Sequence, residues 1–285
     1  MHTYRAVAKI NVGLHVLGKR ADGYHAIATV FLPIELYDAV TIEAADTISV
    51  LMRPSLGIAE TDNLAYRAAR LLRDAAGIRT GAKITITKHI PTGSGLGGGS
   101  SDAATSLLGL CRLWDCALSR DELSELALQL GSDVPYFLDP RPTYAEGRGE
   151  LLTTLPPMKQ RTVLVVAPSI HISTAWAYAQ VKSHSEHVRP RLLRDALLTS
   201  ESSDELLRSV CTNDFEQIVF AAYPRLAEIK EALYAAGATY ASLTGSGSAL
   251  FGFFDDRNTA ISAAVRFPDC RTFVTQTLTT VDYSR

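Results

Sequence analysis

Alternating apolar and polar residues dominate roughly the first fifty positions of the chain, and this period of two predicts β-strands. The strands are expected over residues 4–16, 26–36, 39–44 and 47–52, with Gly, Pro and Asp residues between them. The period then becomes helical over residues 62–76, where the apolar positions are Leu64, Ala68, Leu71, Leu72 and Ala75. Gly77 ends this helix.

The remaining residues continue this mixture of periods. Further strands are predicted over residues 82–88, 161–167, 240–243, 250–254 and 272–278, and a hairpin over residues 143–154. Helices are predicted up to Trp114, from a Ser119–Glu122 capping box onward, and over residues 174–181, 190–198 and 204–210. Asn213 and Glu216 form a second candidate capping box, and its helical stretch is broken at Pro224 and ends at Gly237.

These elements predict an α+β protein of two domains. Pro156 and Pro157 are the best candidate boundary, which divides the chain into residues 1–156 and 157–285. The chain has no internal repeat and no low-complexity segment.

A glycine-rich loop separates the strand at residues 82–88 from the helix that ends near Trp114. Residues 91–104 read Pro-Thr-Gly-Ser-Gly-Leu-Gly-Gly-Gly-Ser-Ser-Asp-Ala-Ala. Glycine permits the positive φ values that turn successive N–H groups toward one point, and a helix N-terminus attracts anions. The loop therefore predicts a phosphate site of a nucleotide, in which a side chain at Gly97 or Gly98 would occupy the phosphate's space.

Three common phosphate-binding families do not fit this loop. A P-loop would end in Gly-Lys-Ser/Thr, whereas Gly98 is followed by Gly99 and Ser100. A dinucleotide fold would place a second strand and an acidic residue after the helix, where the chain instead opens another helix. The His-Arg-Asp and Asp-Phe-Gly motifs of protein kinases are absent from the sequence.

Composition and charge restrict the possible partners and the cellular location of the protein. The chain of 285 residues is 47% hydrophobic and has a formal net charge of −2, which argues against nucleic-acid binding by bulk electrostatics. Its four cysteines lack metal-site spacing and are too few for a disulfide scaffold. The sequence has no apolar run near the roughly 18 residues of a membrane span and no signal-peptide pattern. We therefore expect a cytoplasmic protein without nucleic-acid or membrane partners; the sequence predicts no oligomeric state.

Four motifs resemble those of the GHMP kinase superfamily and occur in the order found there. This superfamily includes the galacto-, homoserine, mevalonate and phosphomevalonate kinases. They are residues 8–14 (Ala-Lys-Ile-Asn-Val-Gly-Leu), the glycine loop, residues 131–137 (Gly-Ser-Asp-Val-Pro-Tyr-Phe) and residues 243–252 (Leu-Thr-Gly-Ser-Gly-Ser-Ala-Leu-Phe-Gly). Residues 20–25 (Arg-Ala-Asp-Gly-Tyr-His) resemble one branch in particular, the kinases of the non-mevalonate isoprenoid pathway whose substrate carries cytidine diphosphate.

The resemblance implies a fold and two cofactors. The N-terminal domain would be like domain 2 of ribosomal protein S5, the C-terminal domain would be ferredoxin-like, and the active site would lie between them. The protein would use ATP and Mg²⁺, with metal ligands that the sequence does not identify. The expected ATP-binding residues are Pro91, Thr92, Gly93, Ser94, Gly95, Leu96, Gly97, Gly98, Gly99, Ser100 and Ser101. The hydroxyls of the last two residues could cap the helix, bind phosphate or contact Mg²⁺.

Lys9 and Asp133 are the candidate catalytic residues. Taken alone, Asp133 reads as an N-cap aspartate, and Lys9 as an edge-strand lysine whose ammonium reaches solvent. The resemblance instead implies that Asp133 accepts the proton of the substrate hydroxyl, and that Lys9 keeps this carboxylate ionised.

The resemblance also implies a set of substrate-binding residues. Tyr24 and Tyr178 would stack on the two faces of cytosine, while Asn11 and His25 would reach polar edges of the substrate. The turn formed by Gly245, Ser246 and Gly247 is either a plain hairpin or the part of the C-terminal domain that closes the site.

Two other functions and one metal-site pattern need weighing. A homoserine- or mevalonate-type kinase is disfavoured by Tyr24 and His25, and a non-catalytic nucleotide sensor is disfavoured by the presence of both Lys9 and Asp133. His184 and His187 have His-x-x-His spacing, but without a third ligand a solvated surface is the better interpretation.

Overall fold

The computed structural model describes residues 1–181, 193–195 and 204–281, and its strands form two sheets. The first sheet contains β1 (His2–Lys19), β2 (His25–Ala45), β3 (Ser49–Arg53), β4 (Gly81–Thr87), β5 (Thr143–Glu146) and β6 (Leu151–Thr154). Its order is β3-β4-β2-β5-β6, and β1 pairs with β2 along its whole length as an antiparallel hairpin. The opposite edge of β2 pairs with β4 near one end and with β5 near the other.

The two strands predicted over residues 26–36 and 39–44 are one continuous strand. The pairing of β1 with β2 skips Glu35 and Leu36, because Val7 faces Tyr37 whereas Ala8 faces Ile34. This bulge interrupts the alternation without ending the strand, which is why the pattern suggested a break.

Helices cover the first sheet and bury their apolar faces against it. They are α1 (Leu64–Ala75), α2 (Gly98–Leu113) and α3 (Arg120–Leu130), followed by a short 3-10 helix at Pro135–Leu138. The predicted capping box of Ser119 and Glu122 is confirmed at the start of α3. The predicted start of α1 was two residues early, because Asp62 belongs to a 3-10 turn and the side chain of Asn63 caps the helix by accepting from the amide of Ala65.

The second sheet is fully antiparallel and has the order β10-β7-β9-β8. Its strands are β7 (Thr162–Pro168), β8 (Tyr240–Leu243), β9 (Leu250–Phe254) and β10 (Cys270–Gln276). The helices of this part are α4 (Thr174–Ala179), α5 (Asp204–Val210), α6 (Phe215–Ala222), α7 (Pro224–Ala235) and α8 (Arg257–Ala264). A strand, helices, two strands, a helix and a strand in this order are the ferredoxin-like arrangement, so the predicted α+β fold class is confirmed.

The structure corrects one helix start in this region. The predicted capping box of Asn213 and Glu216 is wrong, because the carboxylate of Glu216 instead accepts from the amide of Leu243 and pairs with Lys230. Asn213 still contributes, since its side-chain oxygen accepts from the amide of Phe215. The predicted break at Pro224 is confirmed, because α6 ends at Ala222 and α7 begins with the proline.

Two predictions fall on residues that the structure does not describe. Of the helix predicted over residues 190–198 only residues 193–195 are described, and they are helical. His184 and His187 lie outside the described residues. Among the helices that are described, none is both long and apolar enough to cross a lipid bilayer.

One buried cluster joins the two sheets and orients the site. Ala8, Ile10 and Val12 of β1 pack in this cluster together with residues of β7 and β9 such as Val165 and Phe251. Because side chains alternate along a strand, Lys9 and Asn11 point away from this cluster. The division of the chain at residues 156 and 157 stays a prediction.

Candidate active site

Lys9 and Asn11 line a cavity of about 400 Å³, a size typical of small-molecule sites. The glycine loop and the start of α2 form one wall, and Gly245 and Ser246 from the turn between β8 and β9 form another. The loop residues that line the cavity are Pro91, Thr92, Gly93, Ser94, Gly95, Leu96, Gly97, Gly98, Gly99 and Ser100. Ser101 is fully buried and is not among the lining residues.

The glycine loop presents the N-terminus of α2 to the cavity. Gly93, Gly95 and Gly97 have φ values of 66°, 81° and 74°, a region that favours glycine. Gly97 is the N-cap of α2, and no side chain caps the helix. Backbone N–H groups without intrahelical partners, together with the helix dipole, make this end of α2 suited to an anion.

The space around these glycines is filled mostly by protein atoms. A Cβ atom on Gly97 would lie 2.7 Å from Cζ of Phe137, and one on Gly98 would lie 3.0 Å from Cγ2 of Ile90. A Cβ on Gly95 would overlap the carbonyl oxygen of Thr244. The expectation that side chains at Gly97 and Gly98 would simply occupy a phosphate's space is therefore wrong. Gly99 differs, because a Cβ there would have only Leu64 in ordinary contact, at 3.8 Å.

The ammonium group of Lys9 is buried beside the loop, with only 4% of the side chain exposed. Its Nζ donates to Oδ1 of Asn11 at 2.6 Å and lies 3.6 Å from Oδ2 of Asp133 and 5.1 Å from the ring centre of Phe31. Burial lowers the pKa of Lys9 below its ordinary 10.5, although the nearby charge of Asp133 opposes this effect. The interpretation of Lys9 as an edge lysine with a solvated head is therefore wrong.

Asp133 lies in the short connection between α3 and the 3-10 helix at Pro135–Leu138. The N-cap position of that 3-10 helix is Val134, and no side chain caps it, so the N-cap interpretation of Asp133 is wrong. The carboxylate lines the cavity with 35% of the side chain exposed. It can therefore meet a ligand while remaining in contact with Lys9.

Asn11 lies deeper than the sequence suggested. Its side-chain nitrogen donates to Oγ1 of Thr29 at 3.0 Å, and its side-chain oxygen accepts from Lys9. The hydroxyl of Thr29 in turn donates to the carbonyl of Gly13. Asn11 lines the cavity, but its amide group is held by protein partners that orient Lys9.

Tyr178 of α4 is the aromatic residue of the predicted set that lines the cavity. Its ring stacks on His25 with ring centres 5.1 Å apart and packs edge-on against Phe215 at 4.9 Å. Burial raises the pKa of Tyr178, and the charge of Asp133 adds to this effect. Tyr24 is 52% exposed and does not line the cavity, and the guanidinium of Arg148 lies 4.8 Å from its ring centre.

The turn that follows β8 joins the second sheet to the site. The side-chain nitrogen of Asn213 donates to the carbonyls of Leu243 and Gly245, and the hydroxyl of Ser246 lies 3.0 Å from that of Thr174. Gly245 and Ser246 face the cavity, whereas Gly247 does not line it. The turn is thus both a hairpin connection and a wall of the site.

A buried ion cluster next to the loop was missed at the level of sequence. Nζ of Lys88 contacts the carboxylates of both Asp38 and Asp102, and Asp38 also accepts from the amides of His89 and Ile90. Burial raises the pKa of Asp102 to about 7, and the charge of Asp38 contributes to this rise while Lys88 opposes it. The cluster therefore holds the residues that lead into the glycine loop, Lys88 to Ile90, against α2.

Several other lining residues were also missed. Arg148 stands in the turn between β5 and β6, and its signal was the Gly-Arg-Gly sequence at residues 147–149. Apolar side chains also line the cavity, namely Met52, Leu56, Ile58 and Leu64. These side chains lie far apart in sequence from the loop, so no local motif connects them to it.

Two family models match the chain, in the order that the motifs suggested. The model described as GHMP kinases N terminal domain matches residues 63–139, and the model described as GHMP kinases C terminal matches residues 192–270.

Curated relatives match nearly the whole chain. A 4-diphosphocytidyl-2-C-methyl-D-erythritol kinase of Chlorobium phaeobacteroides (strain BS1) is 44% identical over 264 residues, which cover 91% of each chain. The protein of the same name from Chlorobium chlorochromatii (strain CaD3) is 42% identical over 276 residues, which cover 93% of this chain and 92% of the relative.

Solved structures agree with these relatives. A crystal structure of 4-(cytidine 5'-diphospho)-2C-methyl-D-erythritol kinase superposes with a TM-score of 0.82 at 33% identity and covers 96% of this chain and 98% of that one. A mevalonate kinase structure superposes with a TM-score of 0.73 at 16% identity, covers 99% of this chain and 100% of that one, and shares the fold. The chain therefore belongs to the GHMP kinases, in the family of the 4-diphosphocytidyl-2-C-methyl-D-erythritol kinases.

Proposed function

We propose that the protein transfers the γ-phosphoryl group of ATP to the 2-hydroxyl of 4-diphosphocytidyl-2-C-methyl-D-erythritol, a step of the non-mevalonate isoprenoid pathway. The observation that carries this proposal is the pair Lys9 and Asp133, 3.6 Å apart in the cavity that the N-terminus of α2 also faces. Phosphoryl transfer needs an anion site, a neutralising charge and a proton acceptor, and this cavity has groups for all three.

The carboxylate of Asp133 accepts the proton of the substrate hydroxyl. The hydroxyl oxygen forms its bond to the γ-phosphorus of ATP while the bond from that phosphorus to the β,γ-bridging oxygen breaks, and ADP leaves. The ammonium of Lys9, 3.6 Å from the carboxylate of Asp133, stabilises the negative charge that develops on the attacking oxygen. Asn11 holds the ammonium in place through its 2.6 Å hydrogen bond.

The triphosphate of ATP fits the end of α2, where the glycine loop leaves backbone N–H groups facing the cavity. The apolar side chains of Met52, Leu56 and Ile58 suit a nucleobase at the far end. Mg²⁺ fits as well, because it binds through substrate phosphates, water and one or two carboxylates, and the carboxylates of Asp62, Asp102 and Asp133 line the cavity. Ser100 lines the cavity and is the better placed of the two loop serines to meet the nucleotide.

The cytidine moiety is proposed to lie at the opposite end, against Tyr178. One face of this ring is covered by His25, which leaves the other faces of the stacked pair as aromatic surface for a base. Tyr24 and Arg148 form the exposed rim beside it, where a cationic group suits the diphosphate. Gly245 and Ser246 line the same cavity.

The alternatives are not favoured. Relatives at 42–44% identity carry the erythritol kinase name, whereas a homoserine kinase structure of Cytophaga hutchinsonii is only 17% identical and shows the fold alone. A nucleotide sensor without turnover would not require the pair of a buried Lys9 and a partly exposed Asp133. All four cysteines are free, which supports a location in the reducing cytoplasm.

The test measures ADP release with ATP, Mg²⁺ and a panel of acceptors that includes the cytidylyl substrate, homoserine and mevalonate. Asp133→Asn should lower turnover by about 10²–10⁴-fold, the usual range for a general base. The matched control is Asp139→Asn, because this aspartate pairs with Arg120 and Arg141 and does not line the cavity, so its loss should leave turnover unchanged. Turnover of homoserine or mevalonate in preference to the cytidylyl compound, or an active Asp133→Asn protein, would refute the proposal.

A further inference from the structure

Thr244 lies where the second sheet meets both the glycine loop and the lysine strand β1. It directly follows β8, and no part of its side chain is exposed. Its hydroxyl oxygen accepts from the backbone amide of Asn11 at 3.1 Å. The same hydroxyl lies 3.3 Å from the side-chain oxygen of Asn11 and 3.2 Å from the carbonyl of Gly95.

A hydroxyl has a single hydrogen, so Thr244 cannot donate fully to both of these oxygens at once. One acceptor belongs to the loop that faces the nucleotide site. The other, Oδ1 of Asn11, is the atom that accepts from Nζ of Lys9. The direction in which the hydroxyl hydrogen of Thr244 points therefore depends on where the glycine loop places the carbonyl of Gly95. This direction changes the electrostatic potential at Oδ1 of Asn11, the oxygen that accepts from Lys9.

The backbone of Thr244 is held independently of its hydroxyl. Its amide donates to the carbonyl of Ala249, its carbonyl accepts from the amide of Gly247, and Asn213 holds the carbonyls on either side. Loss of the hydroxyl should thus leave the turn in place and remove only the connection to Asn11 and Gly95.

We propose that Thr244 is a positioning residue, whose hydroxyl couples the glycine loop to Lys9 through Asn11. Thr244 touches neither the nucleotide nor the acceptor; it acts on the chemical step by keeping Lys9 aligned with Asp133 when the loop is occupied. This inference rests on the proposed phosphoryl transfer by the same site.

Three substitutions test the coupling. Thr244→Val keeps the shape of the side chain without the hydroxyl, and it should lower kcat about three- to tenfold, the usual net worth of one hydrogen bond. KM for ATP and for the acceptor should stay within about twofold, because the lost interaction acts on the transition state. Thr244→Ser keeps the hydroxyl and should restore kcat. If the valine protein does not fold, Thr244→Ala and Thr244→Ser are compared instead, since they differ only by the oxygen.

Thr275→Val is the matched control, because the hydroxyl of this buried β10 threonine has no hydrogen-bond partner among the described residues. It should leave kcat unchanged. Parental kcat in Thr244→Val, an equal loss in Thr244→Ser, or a loss confined to KM would each overturn the inference. Turnover of the parent protein is measured first, because it separates failure of the proposed function from failure of the Thr244 inference. If the parent protein transfers phosphate preferentially to another acceptor, or only to water, the proposed function fails. The Thr244 variants are then compared with the parent on that acceptor.

Discussion

Gly97 and Gly99 stand two residues apart in the same loop, yet alanine should affect them in opposite ways. Gly97 has φ +74°, and its added Cβ would lie 2.7 Å and 2.9 Å from ring atoms of Phe137. The left-handed backbone costs alanine about 1–2 kcal/mol, and overpacking adds about 1–3 kcal/mol. Gly97→Ala should therefore destabilise the fold by roughly 2–5 kcal/mol. This is a large part of the roughly 5–15 kcal/mol by which domains are stable.

Gly99 should tolerate the same methyl group, because its Cβ would only touch Leu64 at 3.8 Å. Within α2, alanine is favoured over glycine by up to about 1 kcal/mol, so stability should hold or rise. The methyl group would stand in the cavity at the helix N-terminus, where the triphosphate is proposed to bind. Gly99→Ala should therefore weaken ATP binding, by at least about tenfold for a loss of 1.4 kcal/mol.

Urea unfolding and titration calorimetry with ATP separate the two effects. With a slope of about 1–3 kcal/mol per molar urea, Gly97→Ala should lower the midpoint by on the order of 1–2 M. Gly99→Ala should keep the parental midpoint or raise it, and it should lose ATP affinity. A Gly97→Ala protein with the parental midpoint would refute the close approach of Phe137. Parental ATP affinity in Gly99→Ala would refute a phosphate site at this end of α2.

Two further predictions concern charge and stacking. The pKa of Asp102 is raised in the folded protein. Between about pH 4 and 7, the native state therefore keeps a proton on this carboxylate that the unfolded chain has already released. The free energy of unfolding should thus fall as pH rises through this window, and Asp102→Asn should flatten the fall; parallel urea-midpoint curves for parent and variant would contradict the assignment. Tyr178→Ala should weaken binding of the cytidylyl substrate by about 1–3 kcal/mol and leave ATP affinity unchanged. Tyr24→Ala should have the smaller effect of an exposed rim residue, and a larger loss with Tyr24→Ala in the same calorimetry would place the base on the rim.

The sequence predicted most strands because their alternation is local, and it missed features that depend on distant residues. The helix α8 was not predicted, since its buried residues are only Ala260 and Ala263, which give a weak apolar period. Asp38 was read as part of the break within β2, whereas it is the buried partner of Lys88 about fifty residues away in sequence.

The candidate site shows the same limit. The resemblance led to Lys9 and Asp133 because each stands in a motif, and the structure places them together. The contact of Thr244 with Asn11 could not be derived in this way, because 233 residues separate the two in sequence. Glu216 illustrates the opposite error, in which helical spacing suggested a local bond and a tertiary bond to Leu243 replaced it.

The long pairing of β1 with β2 limits how far the strand that carries Lys9 can move. Lys9 sits in the middle of a hairpin that is paired from His2 to Lys19 and buried on both faces around the lysine. Amide hydrogens there should exchange slowly with solvent, and the strand has little freedom to move when ligands arrive. Asp133 stands on a short connection with part of its side chain in solvent. We therefore expect Lys9 to keep its position when ligands bind, and any adjustment within the pair to fall on Asp133, whose side chain is the more exposed of the two.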